Sequence, residues 1–298
     1  MNLLITGAWS SASEYIDRIE KMGHSVSFLQ QERDTLPVSY EWVEGIVGNG
    51  IFLYHDIEKF VNLKFIQLTS AGFDRVPMDL AGERGIAVHN ARGVYSVPMA
   101  EFALAGVLSL YKQLKFFGEN QRNHLWEKHR GLLELSDKTV CIVGCGSVGS
   151  ECAKRFRAFG CRILGVDIYP YESSDYEYIK PLESLDEVLK ECDILILTLP
   201  LTEKTRHLMN EKRLGILKPT AILVNIARGA VVDQQALERR IHQLGGAVLD
   251  VFEEEPLSAD SPLWDLEKVI LTPHNSFVGE NNQKRLSDVI VKSLEKIC

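Results

Sequence analysis

The sequence predicts an α/β protein built as two units, a small α/β layer domain and a doubly wound parallel sheet covered by helices. Three observations point there. Short apolar, β-rich runs alternate with amphipathic helical stretches in two successive series, the pattern of parallel βαβ units. A glycine turn, Gly144-Cys-Gly-Ser-Val-Gly149, joins a strand to a helix at the head of the second series. A chain of 298 residues also has the length for two domains.

In the first series, Asn2–Thr6 reads as a short apolar strand. Ser11-x-x-Glu14 reads as a capping box for a helix with Tyr15, Ile16, Ile19 and Met22 on one face, stopped by Gly23. Ser25–Leu29, Gly45–Val47, Lys64–Leu68 and Ile86–His89 continue the strands. A single helix is expected from Pro98 to Phe117. Its proline fits the first turn, and its apolar residues on nearly all sides mark it as buried. Two readings stay open: a core helix of one monomer, or one that also packs on a second subunit.

The second series opens with the strand Thr139–Val143 and the glycine turn, followed by a helix spaced on Val148, Cys152, Phe156 and Phe159. Arg162–Val166, Asp193–Leu199, Ala221–Ile226, Ala247–Val251 and Val269–Thr272 are the further strands. Ser184-x-x-Glu187 is expected to cap a helix bearing Leu185, Val188 and Leu189. Asp233 is expected to cap another bearing Leu237, Ile241 and Leu244, ended by Gly245-Gly246. A last helix runs from about Gly279 to Ile297, with Leu286, Val289, Ile290, Leu294 and Ile297 on one face.

Composition narrows the function. Lys and Arg number 33 against 41 Asp and Glu, a net charge of −8 with no basic run, so a nucleic-acid footprint is not expected. Glu101, Lys112 and Lys115 interrupt the most apolar stretch, so no membrane span is expected. The N-terminus has no basic segment followed by an apolar one, so no signal peptide is expected. The six cysteines (Cys141, Cys145, Cys152, Cys161, Cys192, Cys298) form no CxxC pair and no ligand spacing with His. They read as buried hydrophobes in a reducing cytoplasm, with no metal site.

The chemistry lies in the glycine turn and three later fragments. A G-x-G-x-x-G turn that follows a strand, opens a helix and is followed by an acidic residue is a dinucleotide site. Here Asp167 stands 18 residues after Gly149. Gly144 allows the tight turn, Gly146 the approach of the pyrophosphate, and Gly149 close helix–strand packing. The helix N-terminus then offers free N–H groups to the phosphates. Asp167 would accept from ribose hydroxyls and repel a 2′-phosphate. Ile168 to Glu172 contain no Arg or Lys, so NAD is favoured over NADP. Asn225-Ile-Ala-Arg-Gly229, Asp250-Val-Phe-Glu-Glu-Glu-Pro256 and Leu271-Thr-Pro-His-Asn275 each lie at the carboxyl end of an expected strand, the edge where open α/β sheets bind ligands. An Arg there can grip a carboxylate, and a His beside a Glu can carry a proton.

With Leu199-Pro-Leu-Thr-Glu-Lys-Thr205, Ser70-Ala-Gly-Phe-Asp74 and Asn90-Ala-Arg-Gly-Val-Tyr-Ser96, these fragments resemble the D-isomer-specific 2-hydroxyacid dehydrogenases over essentially the whole chain. The resemblance implies two Rossmann/flavodoxin-like domains. An NAD-binding domain (98–277) is inserted into a substrate domain (1–97 and 278–298). Arg228 would bind the substrate carboxylate and polarise the keto oxygen, His274 would act as acid and base, and Glu255 would orient His274 and favour its charged form. Cofactor contacts fall on Gly144, Gly146, Ser147, Val148, Gly149, Asp167, Pro200, Thr205, Ile226, Ala227, Arg228, Asp250 and His274. Substrate contacts fall on Ala71, Gly72, Arg228 and His274. The implied activity is NAD-dependent reduction of a small 2-oxo acid to the (R)-2-hydroxy acid, and the reverse, by a homodimer. Two alternatives stand beside it: an NAD-binding, corepressor-like regulatory protein, and a phosphoglycerate dehydrogenase. The loop Val47-Gly-Asn-Gly50 lacks the arginines that phosphoglycerate-using members carry, which weighs against the latter. Glu253 and Glu254 read as solvated loop charges, and the other seven histidines as surface or structural. Arg92 and Tyr95 either shape substrate choice or only order their loop.

Overall fold

The computed structural model describes residues 1–297, so Cys298 lies outside the described residues. The chain divides into two units, Met1–Tyr95 with Gly279–Cys298 and Ser96–Val278.

In the first unit, β1 (Asn2–Thr6), β2 (Ser25–Leu29), β3 (Gly45–Gly48), β4 (Phe65–Leu68) and β5 (Ala87–His89) form one parallel sheet in the order β2-β1-β3-β4-β5. This is the doubly wound order whose ligand crevice opens where the winding reverses, beyond the carboxyl ends of β1 and β3. Strand alternation builds the two layers. Leu3, Ile5, Val47 and Phe65 point into one apolar cluster, and Leu4, Ile46 and Ile66 into the other. Helices α1 (Ile16–Lys21) and α2 (Met78–Glu83) are short.

The second unit begins with α3 (Ser96–Tyr111) and α4 (Leu114–Arg122). The single helix expected from Pro98 to Phe117 is thus two. The apolar run ends at Tyr111, and Gln113 turns the chain at φ 52°, in the left-handed region. α3 is a core helix of its own unit. It buries Ala100, Ala103 and Val107, and Gly106 lies so close to the sheet that a Cβ would stand 2.6 Å from Val248. Next come β6 (Thr139–Val143), α5 (Ser147–Ala158), β7 (Arg162–Asp167), β8 (Tyr178–Pro181), α6 (Leu185–Leu189), β9 (Ile194–Leu197), α7 (Glu211–Leu214), β10 (Ile222–Asn225), α8 (Gln234–Arg240), β11 (Gly246–Leu249) and β12 (Val269–Leu271). The sheet is parallel throughout, ordered β12-β11-β10-β9-β6-β7-β8, and its winding reverses between β6 and β9. The chain then re-enters the first unit as α9 (Asn282–Glu295). This helix buries Leu286, Ile290 and Leu294 and holds Trp9 through an Nε1–H bond to Ser287 of 2.9 Å.

Three local expectations are corrected. Ser11 and Ser184 do not cap with their side chains, whereas Asp233 accepts from Ala236 N at 2.9 Å. The backbone explains the contrast. A capping residue needs an extended ψ; Asp233 has 102°, but Ser11 has 9° and Ser184 has 3°, already near helical. Strand β8 was not expected, because an edge strand that ends at Pro181 carries little apolar signal. Phe159, expected on the buried helix face, is the exposed C-terminal residue beyond α5. The strands β9, β10 and β11 also stop short of their apolar runs, and the leftover residues enter the carboxyl-edge loops.

Candidate active site

At the head of α5 the three glycines do different things. Gly144 sits at φ +98°, and a Cβ on it would stand 2.6 Å from the Leu199 nitrogen. Its carbonyl accepts from Thr198 Oγ1 at 2.5 Å. The loops after β6 and β9 therefore touch where the winding reverses. A Cβ on Gly149 would lie 2.2 Å from the Gly144 oxygen, so only glycine lets the helix come this close to the strand. Gly146 is the opposite case: a Cβ there would meet nothing within 4 Å. It opens α5 with no side-chain cap, so the first N–H groups of a 12-residue helix face open space. That opening fits a dinucleotide pyrophosphate. Ser147 accepts from the buried Ser96 hydroxyl at 2.8 Å, and Val148 packs against the core.

Asp167 ends β7. Its Oδ2 accepts from Cys145 N at 2.7 Å and its Oδ1 from Tyr169 N at 2.9 Å. Each oxygen keeps a further lone pair for a ribose hydroxyl. Tyr171, not expected in the site, donates to the Cys145 carbonyl at 2.6 Å and so braces the turn. Burial pushes the Cys145 thiol up to about 12, which leaves it an inert core group. In the next loop the Thr205 hydroxyl is buried and spent within its own segment, donating to the Pro200 carbonyl at 2.8 Å and accepting from Thr202 N at 2.7 Å. Pro200 is exposed.

After β10, Asn225 shapes the loop: its side chain accepts from Ala227 N and donates to the Arg228 carbonyl, both at 3.1 Å. Ile226 and Ala227 are buried, and the Arg228 guanidinium donates to the Ala227 carbonyl at 2.8 Å. Gly229 follows, where a Cβ would stand 1.8 Å from the Phe252 carbonyl carbon. The Arg228 loop and the loop after β11 are thereby pressed together by one missing side chain.

Asp250 has no exposed surface. Its Oδ1 accepts from Thr272 Oγ1 and Asn275 N, both at 2.7 Å, and its Oδ2 from Ser276 N at 2.9 Å. Its carbonyl accepts from His274 N at 2.8 Å. The Asp250 carboxylate faces inward and holds the turn that presents His274. That turn is conformationally costly, because His274 itself stands at φ 50°. His274 Nδ1 and Glu255 Oε2 are 2.8 Å apart, and Glu255 Oε1 accepts from Phe252 N at 3.1 Å. Phe277 packs edge-on to the imidazole, with centroids 6.1 Å apart. Glu254 is exposed, but Glu253 is no free loop charge. It bonds His207 Nε2 at 3.1 Å and accepts from Gln234 N at 2.8 Å.

In the first unit, the loop after β4 carries Ala71 and Gly72. Their carbonyls accept from Asn90 Nδ2 at 2.5 Å and Ser70 Oγ at 3.0 Å, while neither amide donates to an acceptor among the described residues. Tyr95 donates to the Thr69 carbonyl, and its ring packs on the core, so it orders this loop; burial pushes its hydroxyl pKa up. Arg92 is exposed.

Residues 104–276 match the family described as D-isomer specific 2-hydroxyacid dehydrogenase, NAD binding domain. The chain is 34% identical over 257 residues to the D-3-phosphoglycerate dehydrogenase of Methanocaldococcus jannaschii, covering 85% of this chain and 49% of that protein. It therefore spans about half the length of that relative. It is 36% identical over 253 residues to the glyoxylate reductase of Pyrococcus furiosus, covering 80% of this chain and 75% of that one. Among solved structures, the D-lactate dehydrogenase of Aquifex aeolicus, complexed with NAD and lactic acid, superposes with a TM-score of 0.81 at 28% identity, covering 99% of this chain and 95% of the other. The chain belongs to the D-isomer specific 2-hydroxyacid dehydrogenase family, and its second unit contains the family's NAD-binding domain. Among the described residues, no group of His, Cys, Asp and Glu could hold a metal ion, and no helix is long and apolar enough to cross a membrane.

Proposed function

We propose that this chain reduces a small 2-oxo acid to the (R)-2-hydroxy acid with NADH, and runs the reverse reaction, with the first unit as its substrate domain. The observation that carries the reading is the 2.8 Å His274–Glu255 pair at the carboxyl edge of the sheet that bears the glycine turn. Reducing a ketone takes a hydride at carbon and a proton at oxygen. Bound NADH supplies the hydride. Arg228 grips the substrate carboxylate and polarises the keto oxygen; in the first unit, the amides of Ala71 and Gly72 are donors suited to a carboxylate. Negative charge that develops on that oxygen is met by the proton on His274 Nε2. Glu255, bonded to Nδ1, fixes the ring and balances the charge of the imidazolium. In the reverse direction the neutral imidazole takes the hydroxyl proton. Asp250 acts as a positioning residue, through the His274 turn.

Relatives named glyoxylate reductase favour a short acid such as glyoxylate, hydroxypyruvate or pyruvate. Loss of NADH absorbance with these acids tests the reading; bound NADH with no turnover on any of them would favour the regulatory alternative. Asp167 sets the choice of cofactor. Asp167→Ala should narrow the preference for NADH over NADPH by about tenfold or more, read as the ratio of kcat/KM values. An unchanged ratio would remove Asp167 from that role.

We also place the protein in the cytoplasm as a homodimer. Leu114, Leu125, Trp126, Leu132 and Leu133 are exposed on α4 and the segment after it, with Trp126 96% exposed, and the Phe116–His129 ring contact folds that segment back on α4. Such a cluster marks an interaction surface. Trp126→Glu should shift the sedimentation coefficient from dimer to monomer, and a wild-type monomer would contradict the assignment.

A further inference from the structure

Where the first sheet reverses its winding, the chain has put a charge of its own. Glu32, on the loop after β2, reaches to the carboxyl ends of β1 and β3. Its Oε1 accepts from Asn49 N at 2.6 Å and from Thr6 Oγ1 at 2.8 Å, and its Oε2 accepts from Gly50 N at 2.7 Å. Two successive backbone N–H groups and a hydroxyl converging on one point make an anion cradle, at the edge where doubly wound sheets bind ligands. The surroundings are built for this occupant. A Cβ on Gly48 would stand 2.7 Å from Glu32 Oε1, so glycine there gives the carboxylate its room. The Glu32 carbonyl is tied to the buried His55 Nε2 at 2.9 Å, and His55 Nδ1 to Tyr40 Oη at 3.0 Å, which fixes the residue from behind. The Arg75 side chain passes beside the cradle, its Cδ 3.5 Å from where a Gly50 Cβ would sit.

The cradle adjoins the loop assigned to the substrate carboxylate, since the Gly48 carbonyl accepts from Thr69 N at 2.9 Å, just before Ser70-Ala-Gly72. We infer that Glu32 is a specificity-determining residue: it fills the β1/β3 cradle with the chain's own carboxylate and bars substrates that carry a second anionic group, such as a phosphate, beside the 2-oxo acid. The site offers the right donors for a phosphate and withholds them. Like charge in so confined a place repels a dianionic ligand while leaving a monoanionic acid on the neighbouring loop untouched. This inference rests on the substrate reading proposed above, but its first test does not.

Titration of wild type, Glu32→Ala and Glu32→Gln with inorganic phosphate, at constant ionic strength with chloride as control, reads the cradle directly. Both variants should bind phosphate at least about tenfold more tightly than wild type, Ala more than Gln, because Gln keeps one acceptor and some bulk. The second readout is kcat/KM for phosphohydroxypyruvate relative to hydroxypyruvate, which should rise by about tenfold or more in both variants. A merely structural role would lower both rates together and leave the ratio where it was. Folded Glu32→Gln with phosphate affinity and ratio both within about twofold of wild type overturns the inference, whether or not Glu32→Ala folds. If no 2-oxo acid is turned over by any form, the enzymatic reading fails, while the phosphate titration still decides the cradle.

Discussion

Replacing His274 by alanine should lower kcat by about 10²–10⁴-fold, the usual worth of a positioned acid–base group, with NADH still bound. The reasoning is local. Nδ1 is committed to Glu255 at 2.8 Å, so the one ring position left for substrate is Nε2. Glu255→Gln gives the companion result. A glutamine can still bond Phe252 N and the imidazole, so the ring stays oriented, but it carries no charge to balance an imidazolium. Its loss should fall on kcat more than on KM and should be smaller than that of His274→Ala. Stopped-flow NADH oxidation with saturating substrate measures both. Equal, small losses in the two variants would remove the pair from the chemistry.

Asp250→Ala should be strongly destabilising. It orphans three donors at once, the Thr272 hydroxyl and the Asn275 and Ser276 amides, around a side chain with no exposure. At roughly 1–3 kcal/mol for each unsatisfied buried donor, the cost is about 3 kcal/mol or more. For a domain of this size that lowers Tm by roughly 6–12 °C, measurable by calorimetry. Activity should fall too, because the same three bonds hold His274 at its left-handed φ of 50°. Asp250→Asn keeps acceptors for Thr272 and Asn275 but sets an NH₂ group against Ser276 N–H, so its Tm should lie between alanine and wild type. A full Tm in Asp250→Ala would show that the turn holds His274 without it.

The parts of the molecule written in the sequence are those where one residue type has one physical task. Gly144 and Gly149 are needed because a Cβ would strike backbone, and the strand–turn–helix around them is visible in the letters alone. Parallel strands buried on both faces read as apolar runs, so β1 and β6 match their expected bounds. What stayed hidden depends on backbone angle or on distant partners. Ser11 and Ser184 carry the capping letters without the extended ψ that capping requires. The break at Gln113 follows from where burial ends rather than from any helix-breaking residue. Asp250 was legible as a site residue, but its inward task depends on donors 22–26 residues away. Glu253 reads as an ordinary loop charge and Glu32 belongs to no motif, and only the fold brings their hydrogen-bond donors to them. The task of Gly229 is hidden in the sequence, because the peptide that it must clear lies after another strand.

The central claim is that this chain delivers hydride to C2 of a 2-oxo acid while His274 protonates the oxygen. Incubation with pyruvate or hydroxypyruvate and NADH deuterated at both C4 positions, followed by chiral separation and mass analysis of the product, tests it most directly. The account predicts an (R)-2-hydroxy acid with one deuterium at C2, formed by wild type and reduced by about 10²–10⁴-fold in rate by His274→Ala. An (S)-product, a product without deuterium, or bound NADH with no product on any 2-oxo acid would contradict it.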